Sequence, residues 1–142
     1  MRLLLVTAIA LGSLCATPAM AGLSDADVIV AYCRKAAPAL AGKGVPVEDR
    51  TPVGMCVGYI SGLADAFQHL CATSHLKGRL PLEQRTGIAS VAANPEHQSY
   101  ASLISSFIRF VDENPDLVDI APTPLLLQRA LQQDFPCSIP EE

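Results

Sequence analysis

Four cysteines, Cys33, Cys56, Cys71 and Cys137, and the histidines around them are the residues of this chain best suited to chemistry. In an oxidising compartment an even set reads as two disulfides, whereas reduced thiols would offer metal ligands or a nucleophile. His69, Cys71 and His75 lie close enough in sequence to raise zinc. Cys56 is too far upstream for a recognised finger spacing, so disulfides are the preferred reading. A cysteine nucleophile would need a free thiol near His69, His75 or His97, which the even count disfavours. Ser61 follows Gly58 by three positions rather than two, inside a helical pattern, so this run is not a hydrolase nucleophile elbow. The carboxylates of Asp112 with Glu113 and of Asp116 with Asp119 fall at helix ends, where such groups are ordinarily solvated. No catalytic set, metal or cofactor is expected, and the chain reads as a binding protein rather than an enzyme.

The fifth cysteine, Cys15, belongs to an export signal. Arg2 supplies its positive end, residues 3–14 are apolar apart from Thr7, Gly12 and Ser13, and Ala19-Met20-Ala21 offers a cleavage site. The apolar run is about 12 residues, against the roughly 20 of a membrane-spanning helix. Leu14 is too bulky for the position before a lipid-bearing cysteine. Residues 1–21 are therefore expected to be a signal peptide cleaved near Ala21, leaving 22–142 as a single exported domain without a membrane anchor. A chain of that size buries roughly two thirds of its unfolded surface and has room for one core. Loss of Arg2 leaves nine basic against fourteen acidic residues, a charge of about −5 with no basic stripe, which disfavours nucleic acid as a partner.

Three pairings of four cysteines are open, and sequence alone does not choose among them. Cys33 with Cys56 and Cys71 with Cys137 is the expected pairing, because the first clips two helices adjacent in the chain and the second ties the far end to the middle. On the chain-entropy argument these loops contribute roughly 3 and 4 kcal/mol. Either is a large share of the ~5–15 kcal/mol of a small domain.

The elements that must hold these residues read as helices. Val28, Ile29, Tyr32, Cys33, Ala36 and Ala37 predict a first helix over 24–37, with a loop of Gly and Pro to about 52. Thr51-Pro52 opens a central helix to about Cys71, with Cys56, Tyr59, Ile60, Leu63, Phe67 and Leu70 on its apolar side. Tyr59 and Phe67 are expected in the core and His69 at the surface. A weaker helix is expected from Pro81 to Asn94, a clear one from Tyr100 to Asn114-Pro115, and a last one from Thr123-Pro124 to Phe135. No run alternates like a strand. The fold class is all-α, a four- to five-helix bundle with two intramolecular disulfides.

The other side of the central helix carries Gly54, Gly58 and Gly62, alongside Ser61, Asp65 and Gln68. Glycine within a helix costs about 0.8–1 kcal/mol relative to alanine. Close helix packing is the reason expected for three of them, with another helix of the same domain preferred and a second chain as the alternative. Asp65 reads equally as a solvated acid or a polar contact with a partner.

The run Cys56-Val57-Gly58-Tyr59-Ile60-Ser61-Gly62-Leu63-Ala64-Asp65-Ala66, then Cys71, a helix ending in Asn114-Pro115, Leu127 to Leu131 and the closing Phe135-Pro136-Cys137 together resemble the Rap/Tai family of type VI secretion immunity proteins. The resemblance covers about residues 26–137. It implies a periplasmic, helical, disulfide-bonded and often dimeric protein that binds a peptidoglycan amidase, a cell-wall effector delivered by neighbouring bacteria, and occludes its cleft. By that likeness the contact surface is the linker 113–123, with Glu113, Asn114, Asp116, Leu117 and Asp119 as its candidate residues. One departure is the stretch 72–99, longer than the family pattern and holding an additional helix.

A second function class fits the same features. A small acidic helical domain in the periplasm would shield unfolded clients when its carboxylates protonate, as an envelope stress or chaperone-like protein without a toxin partner.

Overall fold

The protein is described here from a computed structural model covering residues 26–76 and 78–139; the expected signal peptide lies outside the described residues. Spacings of three and four between Ile29, Val30, Cys33 and Ala36 bury one stripe of α1 (Ala26–Pro38). Its helical course runs one turn past the expected end. The ring of Pro38 cannot fit a regular ladder against the carbonyl four residues back, and a wider π-turn, Ala39–Lys43, takes up the misfit. Gly42 and Gly44 then adopt positive φ, 82° and 74°, which turn the chain toward α2 and which side chains with a Cβ resist.

α2 (Arg50–Ser74) is the hub of the bundle, packing against α1, α3 (Leu82–Ala89), α4 (Tyr100–Glu113) and α6 (Thr123–Asp134). It begins without a side-chain cap: Asp49, the residue at that position, instead accepts a 2.7 Å hydrogen bond from Lys35 Nζ. It also runs three residues past Cys71. The additional turn brings Ser74 into the interior and His75 to the helix end. The fully buried positions are Cys56, Ile60, Ala64 and Cys71, with Tyr59, Leu63 and Phe67 half-buried against the same core. Leu70, expected on the apolar face, is 39% exposed, because the buried stripe drifts past it to Cys71 and Ser74.

α4 is capped by Ser99, whose hydroxyl accepts from the Ser102 amide at 3.1 Å. The expected linker after α4 contains a further short helix, α5 (Pro115–Val118), opened by proline at its first position. α6 starts at Thr123, which is not a cap: it is buried and hydrogen-bonds the Tyr59 hydroxyl on α2. Phe107, Ile29, Ile60, Ile104, Leu126, Leu127 and Leu131 form the fully enclosed centre of the bundle. The paired faces of α4 and α6 are locked at the surface by Asp134, which accepts from Ser106 and pairs with Arg109. Six α-helices and no strand occur among the described residues, the one β-type pairing being an isolated bridge between Ala93 and Pro136.

Both expected disulfides are present. Cys33–Cys56 joins α1 to α2 and Cys71–Cys137 joins α2 to the segment after α6, with Cα separations of 5.1 and 5.6 Å. The long stretch 72–99 builds the housing of the second. Arg85 Nε donates to the Ser74 carbonyl at 2.8 Å, and Gln128 and Gln132 of α6 donate to the Val91 and Ser90 carbonyls. The Asn94 amide donates to the Phe135 carbonyl at 2.8 Å, which places Pro136 and Cys137 over the end of α2.

Candidate functional site

The segment 113–123 is a corner with its back fastened to the bundle. Asn114 ends α4 and donates through Nδ2 to the Phe110 carbonyl at 2.8 Å. Leu117, Val118 and Ala121 pack on the core, and the Ala121 amide donates to the Leu117 carbonyl at 2.9 Å, closing the turn. Of the five candidate contact residues, Glu113, Asp116 and Asp119 are exposed, whereas Asn114 and Leu117 face inward and hold the corner in shape. The most exposed large apolar residue of the described chain is Ile120, at 78%, on the tip of this corner. Sequence reasoning passed over it. Its signal was an aliphatic residue just past the acidic run 116–119, where polar residues otherwise mark the linker as exposed.

Beside the corner, between α1 and the α4–α5 junction, lies a groove of about 330 Å³ lined by Asp27, Val30, Arg34, Asp112, Val118 and Asp119, among others. Its apolar floor comes from Val30, Val111 and Val118 and its rim from three carboxylates and one guanidinium. Arg34 is engaged by Asp112 at 2.7 Å, so the rim presents net negative charge. An apolar projection next to an acidic groove suits a partner surface with a hydrophobic pocket bordered by basic groups.

The glycine face of α2 has a different outcome from the one expected. A Cβ placed at Gly54, Gly58 or Gly62 would meet nothing within 4 Å, so no helix among the described residues packs there. The neighbouring helices occupy the opposite side, where the buried stripe of α2 lies. Asp65 and His69 are exposed on this open side. Asp65 and Gln68 border a second cavity of about 380 Å³, whose far wall is Pro95, His97 and Tyr100. His97 there has φ 63°, a left-handed conformation that histidine adopts more readily than most residues.

A third group gathers at the end of α2. Cys71 and His75 stand one helical turn apart, with Cys71 Sγ 3.9 Å from His75 Nε2. His75 Nε2 lies 3.0 Å from the Ser138 carbonyl oxygen, and Ser74 Oγ lies 3.5 Å from Cys137 Sγ. Cys71, His75 and Cys137 each offer a ligand atom, all within 4.8 Å of one another. His69 of the run that raised zinc takes no part in this group; its third member is Cys137, contributed from 66 positions away. All four cysteines among the described residues are bonded in disulfides, so none offers a free thiol for nucleophilic attack.

Two groups are displaced from their ordinary protonation range. The hydrogen bond and charge of Asp49 hold Lys35 above 10.5, and burial holds Tyr59 above 10.0 against the opposing effect of its bond with Thr123.

No described helix is long and apolar enough to cross a membrane. Comparison with protein families, with curated proteins and with solved structures found no match to this chain.

Proposed function

We propose that this chain is a periplasmic immunity-type protein that binds a peptidoglycan amidase and blocks its cleft by shape. The observation that carries the reading is Ile120, largely exposed at the tip of a corner whose base is anchored by Asn114, Leu117 and Ala121. A rigid projection with an apolar tip and acidic flanks is suited to filling a cleft, and preorganisation of that kind reduces the ordering cost of association. The disulfide framework and the motif likeness of 56–66 and 135–137 support the same reading. Inhibition of this sort needs no catalytic group on the inhibitor. The open glycine face of α2 is the surface proposed for pairing with a second copy.

The test is titration calorimetry of the mature protein against any cell-wall amidase encoded beside it. A 1:1 complex with a Kd of roughly nanomolar order is expected, and inhibition of cell-wall cleavage should track occupancy. Absence of binding to that amidase sinks the reading. Suppression of client aggregation at low pH without amidase affinity would instead favour the chaperone-like alternative.

A further inference from the structure

We infer that, once the Cys71–Cys137 bond is reduced, Cys71, His75 and Cys137 form a binding site for a thiophilic divalent cation of the zinc class. The two disulfides differ in access. Cys33 and Cys56 are 0% exposed within the core, whereas Cys137 is only partly buried and lines a surface cavity of about 270 Å³. A dithiol reductant can approach Cys137 from this side. Its thiolate attacks Cys137 Sγ to form a mixed disulfide and Cys71 leaves as a thiolate; the second thiol of the reductant then displaces Cys137. The reductant becomes a disulfide, and two electrons are delivered to the chain.

The resulting groups are close to a ligand set. Tetrahedral zinc with bonds of about 2.3 Å to sulfur and 2.0–2.1 Å to nitrogen separates two sulfurs by about 3.8 Å and sulfur from nitrogen by about 3.5 Å. Cys71 Sγ and His75 Nε2 already stand 3.9 Å apart. The main adjustment is that the two sulfurs must part, and Cys137 lies in a non-helical segment after α6. Cation entry displaces the two thiol protons to solvent. It also requires His75 to carry its ring proton on Nδ1, so the contact of Nε2 with the Ser138 carbonyl gives way to the cation. His75 is exposed, which leaves the fourth position to water, as in sites with three protein ligands. Ser74 Oγ stands 3.5 Å from Cys137 Sγ and donates to the Cys71 carbonyl at 2.7 Å, so a hydroxyl borders the site.

The experiment is a cobalt(II) and zinc(II) titration of the full mature chain before and after mild dithiol reduction, with thiols counted and helicity followed. Reduced protein should bind one cobalt with thiolate charge-transfer absorption, displaced by zinc, while oxidised protein should not. His75→Ala should weaken binding by roughly tenfold or more, and His69→Ala should leave it unchanged. If reduction loosens the fold, the cation should restore helicity in the parent and not in His75→Ala. Binding equal in oxidised and reduced protein, equal affinity in His75→Ala, or reduced protein that takes up no cobalt each overturns the inference.

Discussion

Arg34 of α1 donates to Asp112 of α4 at 2.7 Å, joining residues 78 positions apart across the groove beside the 113–123 corner. Both side chains are more than half exposed, so water screens the pair and its contribution to stability is small. Arg34→Ala should lower unfolding stability by less than about 1 kcal/mol, measured by urea denaturation. Removing the only guanidinium of the rim should make the groove more acidic and speed association with a basic partner at low salt; an unchanged association rate would detach this groove from the interface.

Ile120→Asp separates recognition from folding. The side chain touches little of the bundle, so stability should move by no more than about 0.5 kcal/mol. Amidase affinity should fall at least tenfold, because exposed apolar anchors dominate interfaces. Charge reversal at Asp116 and Asp119 should weaken the complex while circular dichroism stays unaltered. Parental affinity in all three variants would remove the corner from the contact surface.

Gly54→Ala, Gly58→Ala and Gly62→Ala should each raise stability, since the added Cβ meets open space and alanine favours the helix by about 0.8–1 kcal/mol. Thermal unfolding of the single variants measures this directly. If a second copy packs on this face, the same substitutions should shift sedimentation toward monomer; a stabilised chain with unchanged association state would place the dimer contact elsewhere.

The alkaline limb of stability should reflect Tyr59 and Lys35. Both bind their proton more tightly in the folded chain, so each contribution is complete below its ordinary value, 10.0 or 10.5, and is lost as pH rises through its raised folded value. Tyr59→Phe should flatten the decline above about pH 10 in urea titrations; a decline identical to the parent would mean that Tyr59 ionises as freely in the folded chain as in the unfolded one.

The helical stripes were readable from residue spacing, because apolar recurrence such as that of α4 depends on local periodicity; the cysteine pairing was one choice among three, favoured by chain order and present in the folded chain. Tertiary competition was not readable. Thr123 looks like a cap but is claimed by Tyr59, and the capping position of α2 holds Asp49, which Lys35 engages. The three glycines signal close packing without saying against what, and no helix among the described residues packs on them. Asn114 and Leu117 have the polarity and position of contact residues, yet the turn needs them inside, while Ile120 beside them is left facing out. Such assignments depend on which side of a short turn meets the core, a fact that exists only once helices from distant parts of the chain have docked.

The 66-residue interval between Cys71 and Cys137 also sets a timetable. A polypeptide emerging amino end first exposes Cys33 and Cys56 well before Cys137, so the first cross-link should close on a nascent α1–α2 hairpin while Cys71 still waits for its mate. Trapping thiols at intervals during oxidative folding of the chain should reveal a one-disulfide species bonded at Cys33–Cys56; early capture of Cys71 by Cys56 or Cys33 would mean that this protein reaches its native linkage by reshuffling.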